Sequence, residues 1–493
     1  MGTAQAAGTD PEKEVPSVVQ EGTLTPINDI ESATEEPYSI YTRKQKWFIV
    51  GIVAVAGFHS PLPANIYFPA IPMMAEAFGT SEEVINQTVT AYLVMQGISP
   101  MLWGPLSDRY GRRPIFLGCL TVLIGSCIGL ALCPTNAFWL LIVLRLLQAG
   151  GCASMIALGA GVTGDIATPE ERGSYFGLFN LGPMLAPCIG PAIGGALAEN
   201  LGWRSIFWAL VIMAGCCWVM LYIFLPETLR QLAGNGSIPL TGIHKPLITV
   251  VGRGKKAATP VTLPPSTKKQ SINPFILFTY PDVVIALLFT GVIYSVNYSI
   301  MATISSAFSD VYPWLSETLL GICYLPTGLG MIVGTQVTGR LLDHEYAKIK
   351  KSHGEGPFPK EYARLRTMPY HLIVFVMAVV GWGLALGKAA HVAVPLVISV
   401  ILGWCGMAVL NTTMTLMIDI LQSRSSGATA CTNFVRCSLG AIVVATTDRM
   451  ITNLGYIWTY VMLAAICACM LPVMYIQMKI GPKWRLQRDE LDM

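Results

Sequence analysis

Charge is what this sequence has least of. Only 12% of its 493 residues are Asp, Glu, Lys or Arg, while 53% are hydrophobic. A soluble domain carries about twice that charged share, so an ordinary water-soluble fold is excluded. Paired cysteines are missing as well. The 13 Cys are scattered through apolar stretches, without the spacing of a metal site, a redox pair or a disulfide framework. No phosphate-binding loop occurs, which argues against an ATP-driven pump. No metal-spaced His/Asp/Glu cluster or defensible Ser-His pair suggests an enzyme, and no cofactor is expected. The net charge of +3 says little about partners, and nothing points to nucleic acid. A signal peptide is also lacking. Residues 1–44 are polar and rich in Glu, Thr, Ser and Pro, and are expected to form a disordered tail. Ala6 stands where a myristoylation signal requires Ser or Thr.

Long apolar runs are abundant. Each covers about twenty residues, enough to cross a bilayer core of about 30 Å. They predict spans at 47–68, 84–105, 113–133, 137–164, 174–198 and 205–225, then at 283–305, 317–339, 370–388, 392–420, 427–450 and 457–478. The expectation is an all-α integral membrane protein with twelve spans in two groups of six. The groups occupy 45–225 and 282–478. Between them, 226–281 contains "GRGKKAATPVTLPPSTKK" and reads as a flexible basic linker; 479–493 reads as a tail.

Lys and Arg set the expected orientation. With the N-terminus in the cytosol, Arg43, Lys44, Lys46, Arg109, Arg112, Arg113, Arg172, the linker cations, the Lys348–Arg366 cluster and the tail all lie inside. Only Arg204, Lys388 and Arg449 fall near the outer face. Both termini are expected to be cytosolic, in the plasma membrane or, alternatively, the vacuolar membrane.

One short turn concentrates charge. "WGPLSDRYGRRPIFLG", residues 103–118, joins spans two and three and contains Asp108, Arg109, Arg112 and Arg113. Topogenic arginines explain the cations but not Asp108, nor Gly104 and Gly111, which permit a tight turn. A weaker copy ends span eight, where Gly339 and Asp343 repeat the Gly104–Asp108 spacing. Span four ends at Asp165, followed by Arg172, and span ten ends at Asp419. The two halves therefore read as divergent repeats. Such repeats place a transporter's binding site at their interface near mid-membrane.

At these residues the chain resembles the major facilitator superfamily. Gly104-Pro-Leu-Ser-Asp108-Arg109-Tyr-Gly111-Arg112-Arg113 matches that superfamily's loop signature. The resemblance implies a loop that docks on neighbouring helix ends through charge pairs and helps hold the outward-facing state. "LRLLQAGG" in span four resembles the Arg-x-x-Gln-Gly signature through Arg145 and Gln148, with Ala149 in place of Gly. "GPMLAPCIGPAIGG" in span five resembles the signature of drug:proton antiporters. There Gly190 and Gly194 form a small-xxx-small face, and Pro183, Pro187 and Pro191 each remove a backbone donor. Span one's "HSPLPANIYFPAIP" and the "PETLRQLAGNGSIPLTGIHKP" after span six resemble the fungal twelve-helix branch, including citrate-exporter-like members. A monomer follows from resemblance only.

Ionisable groups inside the membrane are costly, so each is a functional candidate. His59 lies roughly 18 Å into span one, Arg145 about 12 Å from the outer end of span four, and Arg436 roughly 14 Å into span eleven. No Asp or Glu lies mid-membrane in the first six spans. The buried charge is positive, which points to an anionic or neutral polar cargo. Tyr294, Asn297, Tyr298 and Met301 share one face of span seven; Tyr92 and Gln96 share one of span two; span ten offers Asn411 and Thr415. Ordinary interhelical hydrogen bonding would explain those polar residues equally well.

The leading expectation is a secondary exporter of small organic molecules working by alternating access. An organic acid and a secondary metabolite or toxin compete as cargo, and proton coupling stays open. The alternatives are a multidrug efflux pump for neutral or cationic compounds, a sugar-uptake facilitator, and, in a different class, a nutrient sensor that does not transport.

Overall fold

The computed structural model describes residues 38–168, 171–248, 274–352, 359–421 and 425–491. Residues 1–37 of the expected tail and 249–273 of the expected linker lie outside these residues. Among the described residues, ten helical runs are long and apolar enough to span a membrane. Two more crossings complete the set. Glu82–Tyr110 is 29 residues long and is a crossing of more polar composition. The run Gly427–Arg488 covers two crossings, divided at Gly455 with φ 73°.

Span one begins at Arg43–Phe58 and then breaks into Leu62–Asn65, a 3-10 turn Phe68–Ala70, and Ile71–Phe78. Pro61, Pro63, Pro69 and Pro72 cannot donate to the helical ladder, so the predicted single span is interrupted. Span two is Glu82–Tyr110 and span three Arg112–Ala131. Span four runs Phe138–Cys152, bends at Ala153 and Ser154, and continues as Met155–Ile166. Spans five and six are Arg172–Leu201 and Arg204–Phe224. In the second half, span seven is Pro281–Val311, and span eight is Glu317–Ile322 continued by Leu325–Ser352. Span nine is Met368–Gly387 and span ten Ala393–Ile420. Spans eleven and twelve share Ser425–Ala468, and twelve continues as Met470–Leu491.

Packing repeats between the halves. Span one packs on five and seven on eleven; two on four and eight on ten; three on four and nine on ten; three on six and nine on twelve. The halves meet where two lies against eleven and five against eight. The Gly190–Gly194 face read from sequence lies at one of these approaches, with Gly182 and Gly195 beside it. Gly182, Gly190 and Gly194 of span five face the backbone or side chains of span one, while Gly195 faces the backbone of Glu317. Small residues supply such approaches in membranes, where apolar burial gives helices little reason to associate.

Twelve crossings leave residues 38 and 491 on one face, called here the terminal face; the other is the distal face. Two segments read as unstructured connections are built into the terminal face. Residues 226–248 pack on spans three and six, with Glu227 only 3% exposed. The final helix carries Arg485 and Arg488 into ion pairs with Glu361 (2.8 Å) and Asp282 (2.6 Å). Linker and tail are thus shorter than composition suggests, because these polar side chains find buried partners.

Candidate functional site

The interface between the halves holds two arginines with no acidic partner among the described residues. Arg145 is fully buried on span four. Its Nη1 donates to Gln148 Oε1 at 2.6 Å and to the Pro63 carbonyl at 3.1 Å. That acceptor sits in the proline-broken part of span one. The guanidinium lies over the rings of Tyr67 (4.1 Å) and Tyr92 (4.6 Å), while Nε and Nη2 have no protein partner. Tyr92 Oη is anchored on the Ser60 carbonyl and beside Cys152 Sγ. Gln148 in turn donates to Cys127 Sγ.

Arg436 sits half-buried on span eleven. It lies over the Tyr294 ring at 4.7 Å and donates Nη2 to Asn433 Oδ1 at 2.5 Å; its Nε has no partner. Asn433 donates to the Gln96 carbonyl at 3.0 Å, tying span eleven to span two across the interface. Aromatic rings connect the two arginines. Tyr294 contacts Tyr298 at 5.6 Å, Tyr298 contacts Phe68 at 5.9 Å, and Phe68 stacks on Tyr324 at 6.0 Å. Tyr298 lies within electrostatic reach of both guanidiniums. The hydroxyls of Tyr298 and Tyr324 and the Gln96 Oε1 are buried without partners. Aromatic faces hold a guanidinium without neutralising it, so the unpartnered N–H groups remain available to an acceptor.

The structure therefore brings together Arg145, Arg436, Tyr294, Tyr298 and Gln96. Asn297 is buried and lies against Gly406 of span ten. Asn411 is half-buried on span ten, where its carbonyl accepts the Thr415 hydroxyl. His59 is placed elsewhere. It is 2% exposed, its Nδ1 lies 2.9 Å from the Val55 carbonyl, and its ring faces the Met213 backbone of span six. Sequence reasoning passed over Tyr67, Phe68, Tyr324 and Asn433. Asn433 had a local signal, since residues three apart share a helix face with Arg436. The others depend on where the broken span one lands.

On the terminal face the loop between spans two and three makes charge contacts within the first half. Arg112 reaches Asp108 at 2.7 Å and Asp165 at 3.2 Å, and donates to Ser107 Oγ. Arg109 stays exposed beside Tyr110. Gly104 has open space around it, while Gly111 adopts φ 103° and presses against Glu227. The Arg172 side chain lies outside the described residues. Arg113 is buried over Tyr222, donating to the carbonyls of Tyr222 and Ile243. Glu227 accepts the backbone N–H of Arg112 (2.8 Å), Arg113 (3.2 Å), Thr228 and Leu229 (both 3.0 Å), a carboxylate capping the start of span three. Replacing Glu227 by Ala should strand these donors, at about 1–3 kcal/mol for each one left unsatisfied. A clear fall in the Tm of the purified variant is the expected result; an unchanged Tm would mean the cap contributes nothing. The second half has a counterpart, with Arg364 on Asp419 at 2.7 Å, answering Arg112 on Asp165.

Besides the site's own contacts, further contacts across the halves lie toward the distal face. Asn86 binds Asp448 at 2.6 Å, Arg449 binds Glu83 at 2.6 Å, and the Thr318 N–H donates to Glu199 at 2.8 Å. Gly321 meets the Pro191 backbone there, and Cys188 packs on Gly328. On the terminal side Leu102, Leu106 and Tyr110 of span two and Leu181 and Leu185 of span five are exposed. These inter-half contacts close the distal side, while the apolar side chains named on the terminal side stay uncovered. The signature loop makes its ion pairs inside one half.

Comparison with known proteins agrees with this architecture. The chain is 35% identical over 490 residues to Citrate exporter 1 of Aspergillus niger, covering 95% of this chain and 93% of that protein. It is 33% identical to Probable transporter AQR1 of Saccharomyces cerevisiae, with 97% and 84% covered. It is 32% identical to Multidrug transporter QDR2 of Candida glabrata, with 92% and 84% covered. Among solved structures, a D-xylose-proton symporter superposes with TM-score 0.65 at 15% identity, over 87% of this chain and 97% of that one. A bacterial homologue of the lysosomal transporter Spinster gives TM-score 0.62 at 13% identity, over 90% and 98%. Two six-helix repeats, a charged loop between spans two and three, and a family model matching residues 53–445 converge on one conclusion: the chain belongs to the Major Facilitator Superfamily.

Proposed function

We propose that this transporter exports a small organic anion, with Arg145 and Arg436 as its cargo contacts. One observation carries the reading: two interface guanidiniums are held by tyrosine rings, amides and a carbonyl, with no carboxylate partner among the described residues. An uncompensated buried charge costs several kcal/mol, and a carboxylate cargo supplies the missing counter-charge and two acceptors. The relative named Citrate exporter 1 supports an acid as cargo. The chain of Phe68, Tyr294, Tyr298 and Tyr324 rings supports a second reading, efflux of flat apolar compounds, in line with the relatives named multidrug transporters.

The terminal face is the cytosolic one in this proposal, because Arg43, Lys44, Arg109, Lys350, Lys351 and Lys479 are exposed there. The structure is then open to the cytosol, ready to load. Export of an anion is helped by a negative-inside potential, by about 2.3 kcal/mol per charge per 100 mV. The plasma membrane is the proposed location, since an exporter there clears the cell. The test compares extracellular metabolites of cells expressing the chain with cells expressing Arg436→Ala at matched surface levels. Specific organic acids should accumulate outside only with the intact protein. No change in any acid would end this reading in favour of the second.

A further inference from the structure

The distal closure contains a feature that cargo binding does not use. Asn86 of span two is 2% exposed and donates Nδ2 to Asp448 Oδ2 of span eleven at 2.6 Å. Its Oδ1 is buried with no donor. An ionised carboxylate only accepts, whereas a carboxylic acid carries one O–H. A proton on Asp448 therefore lets the acid and the amide bond each other twice, giving the orphaned Asn86 oxygen its donor.

The surroundings favour the same proton. Glu83 acts electrostatically on Asp448, and Glu82 lies within reach of Asp448, Asp310 and Glu317. Glu199 of span five faces Glu317. From span twelve, Tyr460 faces Asp448 but its hydroxyl is engaged with Thr303, and Tyr456 donates to Asp310 at 3.0 Å. The neighbouring cation, Arg449, is largely exposed and paired with Glu83. Carboxylates from five spans thus converge on this closure, and like charges held together disfavour full ionisation.

We propose that Asp448 binds a proton when the distal face is closed, and that this proton, shared with Asn86, controls how readily the halves part there. Asn86 and Asp448 belong to different halves, so the pair separates on opening. The closed state binds the proton more tightly than the open one. Its population is then highest at low distal pH and falls as pH rises, by at most about tenfold per pH unit for one proton.

The test uses full-length protein in lipid nanodiscs. Spin labels go on Thr135→Cys and Lys388→Cys, both in exposed distal loops, with the exposed Cys216 and Cys469 changed to Ser. Inter-label distances are measured between about pH 5 and pH 8, above the ordinary range of a free carboxyl group. The parent should move from the short to the long distance as pH rises. Asp448→Asn, a neutral mimic of the protonated acid, should keep the short distance, with an open-to-closed ratio at the upper pH at least about tenfold below the parent. Asn86→Ala should open at a lower pH than the parent. A parent that does not respond to pH, or an Asp448→Asn protein that responds as the parent does, would overturn the proposal. Should Asp448→Asn fail to fold, Asn86→Ala decides alone, and an unshifted midpoint overturns it. No cargo is present, so failure here is separate from failure of the anion reading.

Discussion

Arg145→Gln is expected to abolish most cargo efflux while leaving the empty protein at least as stable as the parent. The two halves of that expectation have one cause. Arg145 is fully buried, and its Nε and Nη2 have no protein partner. A charge-assisted hydrogen bond to cargo contributes about 1.5–3 kcal/mol, so its loss weakens binding by roughly 10- to 150-fold. The empty site, by contrast, sheds a charge that is costly to bury. Gln148 and the Pro63 carbonyl lose their donor, a smaller effect that the glutamine amide can partly replace. Efflux rate against cargo concentration and the Tm of the purified protein are the two measurements. A large drop in both would make Arg145 a structural strut. Unchanged efflux would remove it from the site altogether. Arg436→Gln should behave alike, since its Nε is similarly unpartnered.

Substituting the span-five glycines should separate folding from switching. A Cβ at Gly182 would collide with the Ala54 carbonyl, inside the first half. One at Gly195 would collide with the Glu317 carbonyl, across the two halves. Backbone atoms cannot rotate aside, so each change forces helices apart, at about 1–3 kcal/mol or more. Gly182→Val breaks a contact that every transport state requires, and should lower both yield and Tm. Gly195→Val breaks a contact of the distal-closed state only. It should leave yield near normal and increase distal accessibility, read as alkylation of a cysteine placed in the distal seam. Equal loss of folded protein in both variants would mean that the contact between spans five and eight persists through the cycle.

Much of the architecture was legible from sequence because membrane insertion is read over local windows. Twenty-residue apolar runs, the cations between them and the Gly104–Arg113 signature all lie within short stretches of chain. Hydropathy alone still undercounts span two, since the residues that make it polar, such as Gln96, Ser99 and Asn86, are those that face the other helices. The prolines of span one carried a local signal of disruption that the single-span reading passed over. Their sequence did not say that the freed Pro63 carbonyl would receive Arg145, 82 residues away.

The sequence by itself determined the class of molecule, the number of crossings, the repeat and the scarcity of mid-membrane carboxylates. Each follows from the cost of placing a peptide or an ion in hydrocarbon, which acts residue by residue. Only the tertiary structure decided which charges are spent on packing and which are left for a ligand. Arg112 and Arg364 are neutralised by Asp165 and Asp419, whereas Arg145 and Arg436 rest on tyrosines. It also turned Glu227 into a helix cap, moved His59 toward span six, and joined Asn86 to Asp448 across 362 residues. The reason is physical: the energy of a buried polar group depends on its partner, and in a two-half bundle that partner comes from a distant part of the chain.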